Sequence, residues 1–216
     1  MRVLVTRPRE QAQPLIEALT AERFDVVVHP LIRIEPLDET PIDLSGYACV
    51  IVTSPNGARL LARRMVGAPI GIASIGPATS RALEMEGLDV SIEADIHSQE
   101  GLVAELAGQP GRKLFVGALG ARTKLAEELS ADFLPLYRTV ELGADELPEA
   151  DLALLMSPSA ARAYARAGGR GPAITFGPQT TAAARHAGVD VVGETQTQDV
   201  QGLVDSAAAW RASSPS

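Results

Sequence analysis

This chain contains an internal repeat, which limits its fold to arrangements of two related units. Residues 74–106 align with residues 175–207 without a gap, at an offset of 101 residues. Eleven of these 33 aligned positions are identical, where average composition would give about two or three. Just upstream, VIVTSPNGARLLAR (50–63) is similar to LLMSPSAARAYAR (154–166). A period of roughly 100 residues is too long for a solenoid and indicates two related domains.

Two shorter units with the pattern strand–helix–strand precede the two long repeats. The order along the chain is short unit (2–35), long repeat (46–107), short unit (112–142) and long repeat (151–210). Short apolar runs alternate with amphipathic helical patterns throughout, which is typical of parallel sheets built from right-handed βαβ units. We therefore predict an α/β fold.

The four units can pair in two ways. In a plain tandem, each short unit joins the long repeat that follows it. In the other arrangement, a contiguous middle domain at about 37–136 lies within a discontinuous one. The extended stretches 30–36 and 136–142 resemble two crossings between domains that could pair as an antiparallel ladder. The residues alone leave both arrangements open.

Composition and charge exclude several classes of protein. The chain has 19 basic and 27 acidic residues, a net charge of −8, which argues against a nucleic-acid binder. No apolar run approaches ~18 residues, so we expect no membrane span. The N-terminus has no signal-peptide pattern, and the one cysteine, Cys49, lies in the apolar run YACVIV. These features predict a cytoplasmic protein with a buried core thiol.

Four Ser-Pro or Gly-Pro turns are the strongest candidates for a binding site. Each follows a strand and begins a helix, and in parallel sheets the ends of the strands form the ligand edge. The free N–H groups and positive dipole of a helix N-terminus bind carboxylates. The same hydroxyls also cap helices in proteins of every function. The candidates are Ser54, Asn56 and Gly57 in the first turn, Thr79 in the second, Ser157 and Ser159 in the third, and Gly177 and Thr180 in the fourth.

Ten motifs in order give the chain a resemblance to a known family over nearly its whole length. They are LVTRP, PLIRIEP, VTSPNGAR, GPAT, HSQEGLV, GARTKLAEEL, LYRTV, MSPSAARA, GPQT and QGLV. None is specific by itself, but in this order and spacing they resemble uroporphyrinogen-III synthase. The resemblance implies two flavodoxin-like domains with parallel sheets, joined by a two-stranded antiparallel β ladder. The expected domains are 1–32 with 143–216, and 37–136, with crossings at 33–36 and 137–142.

The resemblance also implies a reaction. The family cyclises linear hydroxymethylbilane to uroporphyrinogen III, with inversion of the last pyrrole ring and loss of water, using no metal and no organic cofactor. Independently, the three histidines have no metal-ligand spacing to one another or to the cysteine. As partners we expect hydroxymethylbilane, with possible handover from porphobilinogen deaminase, and no nucleic acid or membrane. We expect a monomer.

Three further site residues combine the resemblance with position in the chain, since Arg7 and Arg122 lie at or near predicted strand ends or domain crossings. Tyr137, in LYRTV, matches the family's candidate acid for departure of the substrate hydroxyl; a phenol can donate that proton. Without the resemblance, it would be read as a packing aromatic. Arg7 and Arg122 are expected to meet substrate carboxylates. The family usually has a polar or charged residue ahead of the glycine before Arg122; this chain has the apolar GAL there, a departure from the family's pattern that bears on this contact.

Other functions compete with the synthase. A two-domain protein could bind a tetrapyrrole or another polyanion without turnover, and a degenerate relative of the synthase could have lost activity. An α/β enzyme of another specificity is also possible, because similarity of fold alone does not define function.

Overall fold

In the computed structural model, residues 1–67, 71–143 and 146–213 are described. The chain divides into two compact units. Met1–Arg33 and Val140–Ser216 form one, called here the discontinuous unit, and Ile34–Thr139 forms the other, the continuous unit. None of the helices in the described residues has the length and apolar character needed to cross a bilayer.

Strands and helices alternate along most of the chain. The strands are β1 (Arg2–Val5), β2 (Asp25–Val28), β3 (Ile32–Pro36), β4 (Ile42–Asp43), β5 (Cys49–Val52), β6 (Met65–Val66), β7 (Ile72–Ser74), β8 (Ile92–Glu93), β9 (Lys113–Ala118), β10 (Asp132–Glu141), β11 (Leu152–Leu155), β12 (Ala173–Thr175) and β13 (Val191–Glu194). The helices are α1 (Arg9–Ala21), α2 (Pro55–Arg64), α3 (Pro77–Met85), α4 (Gln99–Leu106), α5 (Lys124–Glu128), α6 (Pro158–Arg166), α7 (Pro178–His186) and α8 (Val200–Ser213).

The discontinuous unit is built on a five-stranded parallel sheet. Its order is β13-β12-β11-β1-β2, and every recorded pair in it is parallel. Alternate residues along each strand enter different core clusters: Leu4 and Leu155 pack in one, and Val5 and Leu154 in another. Both faces of the sheet are covered, which explains why the strands read as continuous apolar runs instead of alternating ones.

The continuous unit has a six-stranded sheet with the order β3-β10-β9-β5-β7-β8. The strands from β10 to β8 are parallel. In space, the strands β8-β7-β5-β9-β10 follow the same order as β13-β12-β11-β1-β2 of the discontinuous unit. Strands β9 and β10 therefore occupy the places of β1 and β2. The flavodoxin-like strand order 2-1-3-4-5 is therefore present in each unit. In the continuous unit, the strands in places 1 and 2 follow the other three along the chain instead of preceding them.

Strand β10 contains an irregularity that positions one side chain. Pro135 lies opposite Gly117 and Tyr137 lies opposite Ala118, so Leu136 is an extra residue in the register. Successive side chains of a regular strand point to opposite faces, whereas a bulge interrupts that alternation. Leu136 and Tyr137 are both buried and belong to the same core cluster. The bulge thus turns Tyr137 toward the helix side occupied by α2.

The predicted antiparallel ladder is present between β3 and β10. Leu37 N–H donates to Leu136 O at 3.0 Å, and Leu142 N–H donates to Leu31 O at 2.9 Å. Residue numbers rise on one strand as they fall on the other, as antiparallel pairing requires. The predicted fold class, α/β with two parallel-sheet domains and this antiparallel pairing, is confirmed.

Candidate functional site

The first Ser-Pro turn begins helix α2 in the continuous unit. Ser54 has extended backbone, and its Oγ accepts a hydrogen bond from Gly57 N–H at 3.0 Å. Pro55 at the first helical position loses no intrahelical bond, because that N–H would be unpaired in any case. Since β5 runs parallel to its neighbours, this turn lies at the edge of the sheet where all the parallel strands end.

The hydroxyl of Tyr137 meets the same turn. Its oxygen lies 2.9 Å from Ser54 Oγ, across 83 residues of sequence. The side chain is 5% exposed, whereas Ser54 is partly exposed. Burial raises the pKa of the Tyr137 phenol above its ordinary value, and hydrogen bonds with Ser54 and Asn56 oppose that rise. Tyr137 is therefore a neutral proton donor across the physiological pH range.

Gly57 and Asn56 complete this cluster. A Cβ on Gly57 would lie 3.2 Å from Ser54 Oγ, so glycine leaves room for the capping hydroxyl in its present position. Asn56 Oδ1 accepts a weak hydrogen bond from Arg59 at 3.5 Å. Ser54, Asn56 and Gly57, which were predicted together as one turn, and Tyr137, which was predicted separately, thus come together at one strand end.

The second predicted turn, after β7, has a different character. Thr79 N–H donates to Gly76 O at 3.0 Å, and Thr79 is 2% exposed, so its hydroxyl lies inside the protein. Sequence reasoning missed His97, whose ring covers Gly76: a Cβ there would lie 3.0 Å from His97 Cδ2. The backbone of Gly76 is approached by a side chain from the turn before α4.

Arg122 lies in the loop after β9. Its guanidinium forms an exposed ion pair with Glu100 at 3.4 Å, and its backbone oxygen accepts a bond from Gln99 Nε2 at 3.3 Å. An exposed ion pair contributes little stability, because solvent screens its charges. The carboxylate of a bound ligand would therefore replace Glu100 at small cost.

The remaining predicted residues belong to the discontinuous unit. Ser157 caps α6 by accepting from Ala160 N–H at 3.1 Å, and its Oγ lies 3.0 Å from Ser159 Oγ. Gly177 precedes α7, and Thr180 is 5% exposed. Arg7 follows β1 and donates a long bond to Gln11 Oε1 at 3.4 Å. These five residues lie at the ends of three strands of one sheet.

Each unit also contains a buried hydroxyl network that sequence reasoning missed. In the continuous unit, Ser74 Oγ lies 2.6 Å from Ser80 Oγ, which donates to the Glu93 carboxylate. In the discontinuous unit, the same positions 101 residues later are Thr175, Thr181 and Glu194. Thr175 Oγ1 lies 2.6 Å from Thr181 Oγ1, which donates to Glu194. Both copies of the repeat contain this glutamate and two hydroxyl residues at matching positions. Alignment of the two copies could therefore have revealed both networks.

The fold and the site together define a class. This is a two-unit α/β protein whose strand-end turns expose helix N-termini, with one buried tyrosine hydroxyl at such a turn. A sequence model described as uroporphyrinogen-III synthase HemD matches residues 13–205. The chain belongs to this family, and its predicted membership is confirmed.

Individual relatives are distant. The chain is 29% identical over 114 residues to the uroporphyrinogen-III synthase of Chlorobaculum parvum, covering 48% of this chain and 46% of that protein. It is 26% identical over 162 residues to the porphyrin biosynthesis protein HemD of Ruminiclostridium josui, covering 64% of this chain and 32% of that protein. The alignments span between 32% and 63% of the length of three curated relatives.

A solved structure shares the fold over its full length. A crystal structure of mutant uroporphyrinogen III synthase from the extremely thermophilic bacterium Thermus thermophilus matches with a TM-score of 0.63 at 17% identity, covering 98% of each chain. This similarity supports the architecture described above.

Proposed function

We propose that this protein is a uroporphyrinogen-III synthase, a lyase that cyclises hydroxymethylbilane with inversion of the last ring and loss of water. The observation that carries the proposal is the buried Tyr137 hydroxyl, 2.9 Å from the capping hydroxyl of Ser54 at a strand end. In a chain of the HemD family, this pair supplies a neutral proton donor where a ligand edge is expected.

The substrate carries acetate and propionate groups on every pyrrole ring, so the proposal requires anion-binding groups. The first turns of α2, α3, α6 and α7 combine backbone N–H donors with positive helix ends. Because the net charge of −8 repels an anion at long range, binding depends on such local donors. Arg7 and Arg122 add bidentate partners for carboxylates.

The reaction requires few catalytic side chains. Protonation of the departing hydroxyl releases water and leaves an electrophilic azafulvene, which the substituted carbon of the last ring attacks. The spiro intermediate that forms then fragments and recloses. Spontaneous cyclisation gives the type I isomer, so the protein must hold one folded conformer of the bilane, which is an effect of position and entropy. We propose that it does so in the cytoplasm, as a monomer, without metal or organic cofactor.

A coupled assay tests this proposal. Purified protein is mixed with porphobilinogen and porphobilinogen deaminase, and the oxidised uroporphyrins are separated by isomer. We expect type III to dominate. Type I alone, in the presence of folded protein, would contradict the enzyme, and a non-catalytic binder of tetrapyrroles would then be the leading interpretation; binding of the stable product would test it.

A further inference from the structure

We propose that Ser54 is a second catalytic residue, which relays the proton of Tyr137 to the departing hydroxyl group of the substrate. This inference rests on the proposed synthase activity and adds a residue to it. Ser54 would otherwise only cap α2 and bind substrate.

The first argument is access. Tyr137 is 5% exposed and belongs to a core cluster with Leu136, Ala58 and Val116. Ser54 is partly exposed, and its Oγ lies 2.9 Å from the phenol oxygen. A bulky substrate therefore meets the serine hydroxyl before it can meet the tyrosine hydroxyl.

The second argument is hydrogen-bond capacity. A serine hydroxyl has two acceptor lone pairs and one O–H donor. Ser54 Oγ accepts from Gly57 N–H at 3.0 Å, and its second lone pair suits the O–H of Tyr137. The hydrogen of Ser54 then remains available for a substrate oxygen. In this arrangement, the transfer from Tyr137 to Ser54 passes between hydroxyl groups already within hydrogen-bond distance.

The third argument is the comparison with the other unit. Ser157 makes the same cap, but its second neighbour is Ser159 at 3.0 Å. The segment LIR (31–33) corresponds to LYR (136–138), so Ile32 occupies the place of Tyr137. Ile32 packs in a cluster with Ala160 and Ala161 of α6. A phenol is thus not required to fill this place in the fold.

The proposed step balances in atoms and charge. The C–O bond of the substrate's hydroxymethyl group breaks as Ser54 O–H protonates the leaving oxygen, which departs as water. Tyr137 O–H reprotonates Ser54, and the tyrosine becomes a phenolate. At the final ring closure, the unsubstituted carbon of the last ring forms the new bond and loses its proton, which returns through Ser54 to Tyr137. The net products are the cyclic tetrapyrrole and one water molecule.

Burial disfavours the transient phenolate, and two features of the site reduce that cost. Hydrogen bonds with Ser54 and Asn56 lower the pKa of Tyr137 against the larger effect of burial. The oxygen also lies beside the N-cap of α2, a ten-residue helix whose positive end favours a negative charge.

The test is a double-mutant cycle in the coupled assay, with type III formation as the readout. A general acid contributes roughly 10²- to 10⁴-fold to rate. We expect Ser54→Ala and Tyr137→Phe each to slow type III formation by roughly 10²- to 10⁴-fold, because each removes one group of the relay. Because the two residues act in one relay, the double variant should be no more than about twofold slower than the slower single variant. Ser54→Thr, which keeps a hydroxyl, should recover activity relative to Ser54→Ala.

Two variants separate the relay from helix capping. Ser54→Asn keeps a good N-cap without a hydroxyl and should be as slow as Ser54→Ala. Ser98→Ala removes the equivalent cap of α4, a 3.0 Å bond from Gly101 N–H in the same unit, and should leave the rate near wild type. Thermal unfolding of every variant verifies that it is folded.

Several results would overturn the relay. Losses that multiply in the double variant would show that the residues act independently, and a normal rate in Ser54→Asn would make Tyr137 the direct donor. If wild type forms type III but neither variant is slow, the relay fails and the proposed function stands. If wild type forms only type I, the proposed function itself fails.

Discussion

The two units of this protein share an architecture but differ at one strand end. Both have a parallel sheet of the same strand order, a Ser-Pro turn and a Gly-Pro turn. Beside the first Ser-Pro turn lies a buried tyrosine, and the corresponding place beside the second is held by Ile32. Features present in both units serve the fold, and a polar group present in only one of them is a candidate for function.

Shared features extend to single hydrogen bonds. Ser98 accepts from Gly101 N–H at 3.0 Å, and 101 residues later Asp199 accepts from Gly202 N–H at 2.8 Å. His97 covers Gly76 as Gln198 covers Gly177. Different side chains perform the same task in each pair, because a cap or a cover needs only a suitable shape and a hydrogen-bond acceptor.

The largest expected effect compares Tyr137 with its counterpart. Tyr137→Phe should lower the rate of type III formation by roughly 10²- to 10⁴-fold, since a general acid contributes that much. Ile32→Val should leave the rate unchanged and cost about 0.5–1.5 kcal/mol of stability. Isomer analysis and thermal unfolding measure the two quantities. If the Ile32→Val variant were fully folded but slow, the assignment of function to Tyr137 and of packing alone to Ile32 would be contradicted.

The next effect concerns glycines that are equivalent in the repeat. A Cβ would lie 1.9 Å from Ile96 O in Gly101→Ala and 2.2 Å from Thr197 O in Gly202→Ala. Each backbone must shift, and we expect each variant to lose on the order of 1–3 kcal/mol. Gly143→Ala, with no atom within 4 Å of the added Cβ, is the control. Urea unfolding would contradict the prediction if all three variants matched wild type.

A smaller difference is expected between the two hydroxyl networks. Ser80→Ala and Thr181→Val each remove the central hydroxyl, and a buried polar group left without its bond costs about 1–3 kcal/mol. Thr175 has a second acceptor, Gly193 O at 3.3 Å, so Thr181→Val should cost less than Ser80→Ala. The shift in unfolding midpoint measures both. Equal losses would show that this second bond contributes nothing.

The smallest effect is on stability at high pH. Burial raises the pKa of Tyr137 in the folded protein, whereas a phenol in the unfolded chain ionises near pH ~10. The folded state therefore holds the Tyr137 phenol proton more tightly than the unfolded chain does. The resulting contribution to stability is fully present below pH ~10 and is lost as pH rises through the folded pKa. Tyr137→Phe should flatten this decline in urea unfolding. Tyr164 in the other unit is the matched site, because burial is also the chief cause that raises its pKa. If the decline in stability at high pH were unchanged in Tyr137→Phe, the assignment of this decline to Tyr137 would be contradicted.

Much of the fold could be predicted from the chain, but the site only in part. The repeat and the alternation of apolar runs predicted the α/β class, and the Ser-Pro pairs predicted the caps at Ser54 and Ser157. The burial of Thr79 and Thr180 could not be predicted, because a hydroxyl in the first turn of a helix can face either solvent or the sheet. The resemblance pointed to Tyr137, but its contact with Ser54 spans 83 residues, a distance over which periodicity says nothing.

The sequence by itself determined the local elements of this protein: a duplicated pattern of strands and helices, and the residues that begin each helix. These follow from forces that act over a few residues, namely capping and the burial of alternate side chains. Only the tertiary structure decided which strand ends became neighbours. The bulge at Leu136 turned Tyr137 toward α2, and the order β10-β9-β5 brought its hydroxyl to Ser54. That outcome depends on packing among strands distant in sequence, where the core is formed by the whole sheet at once.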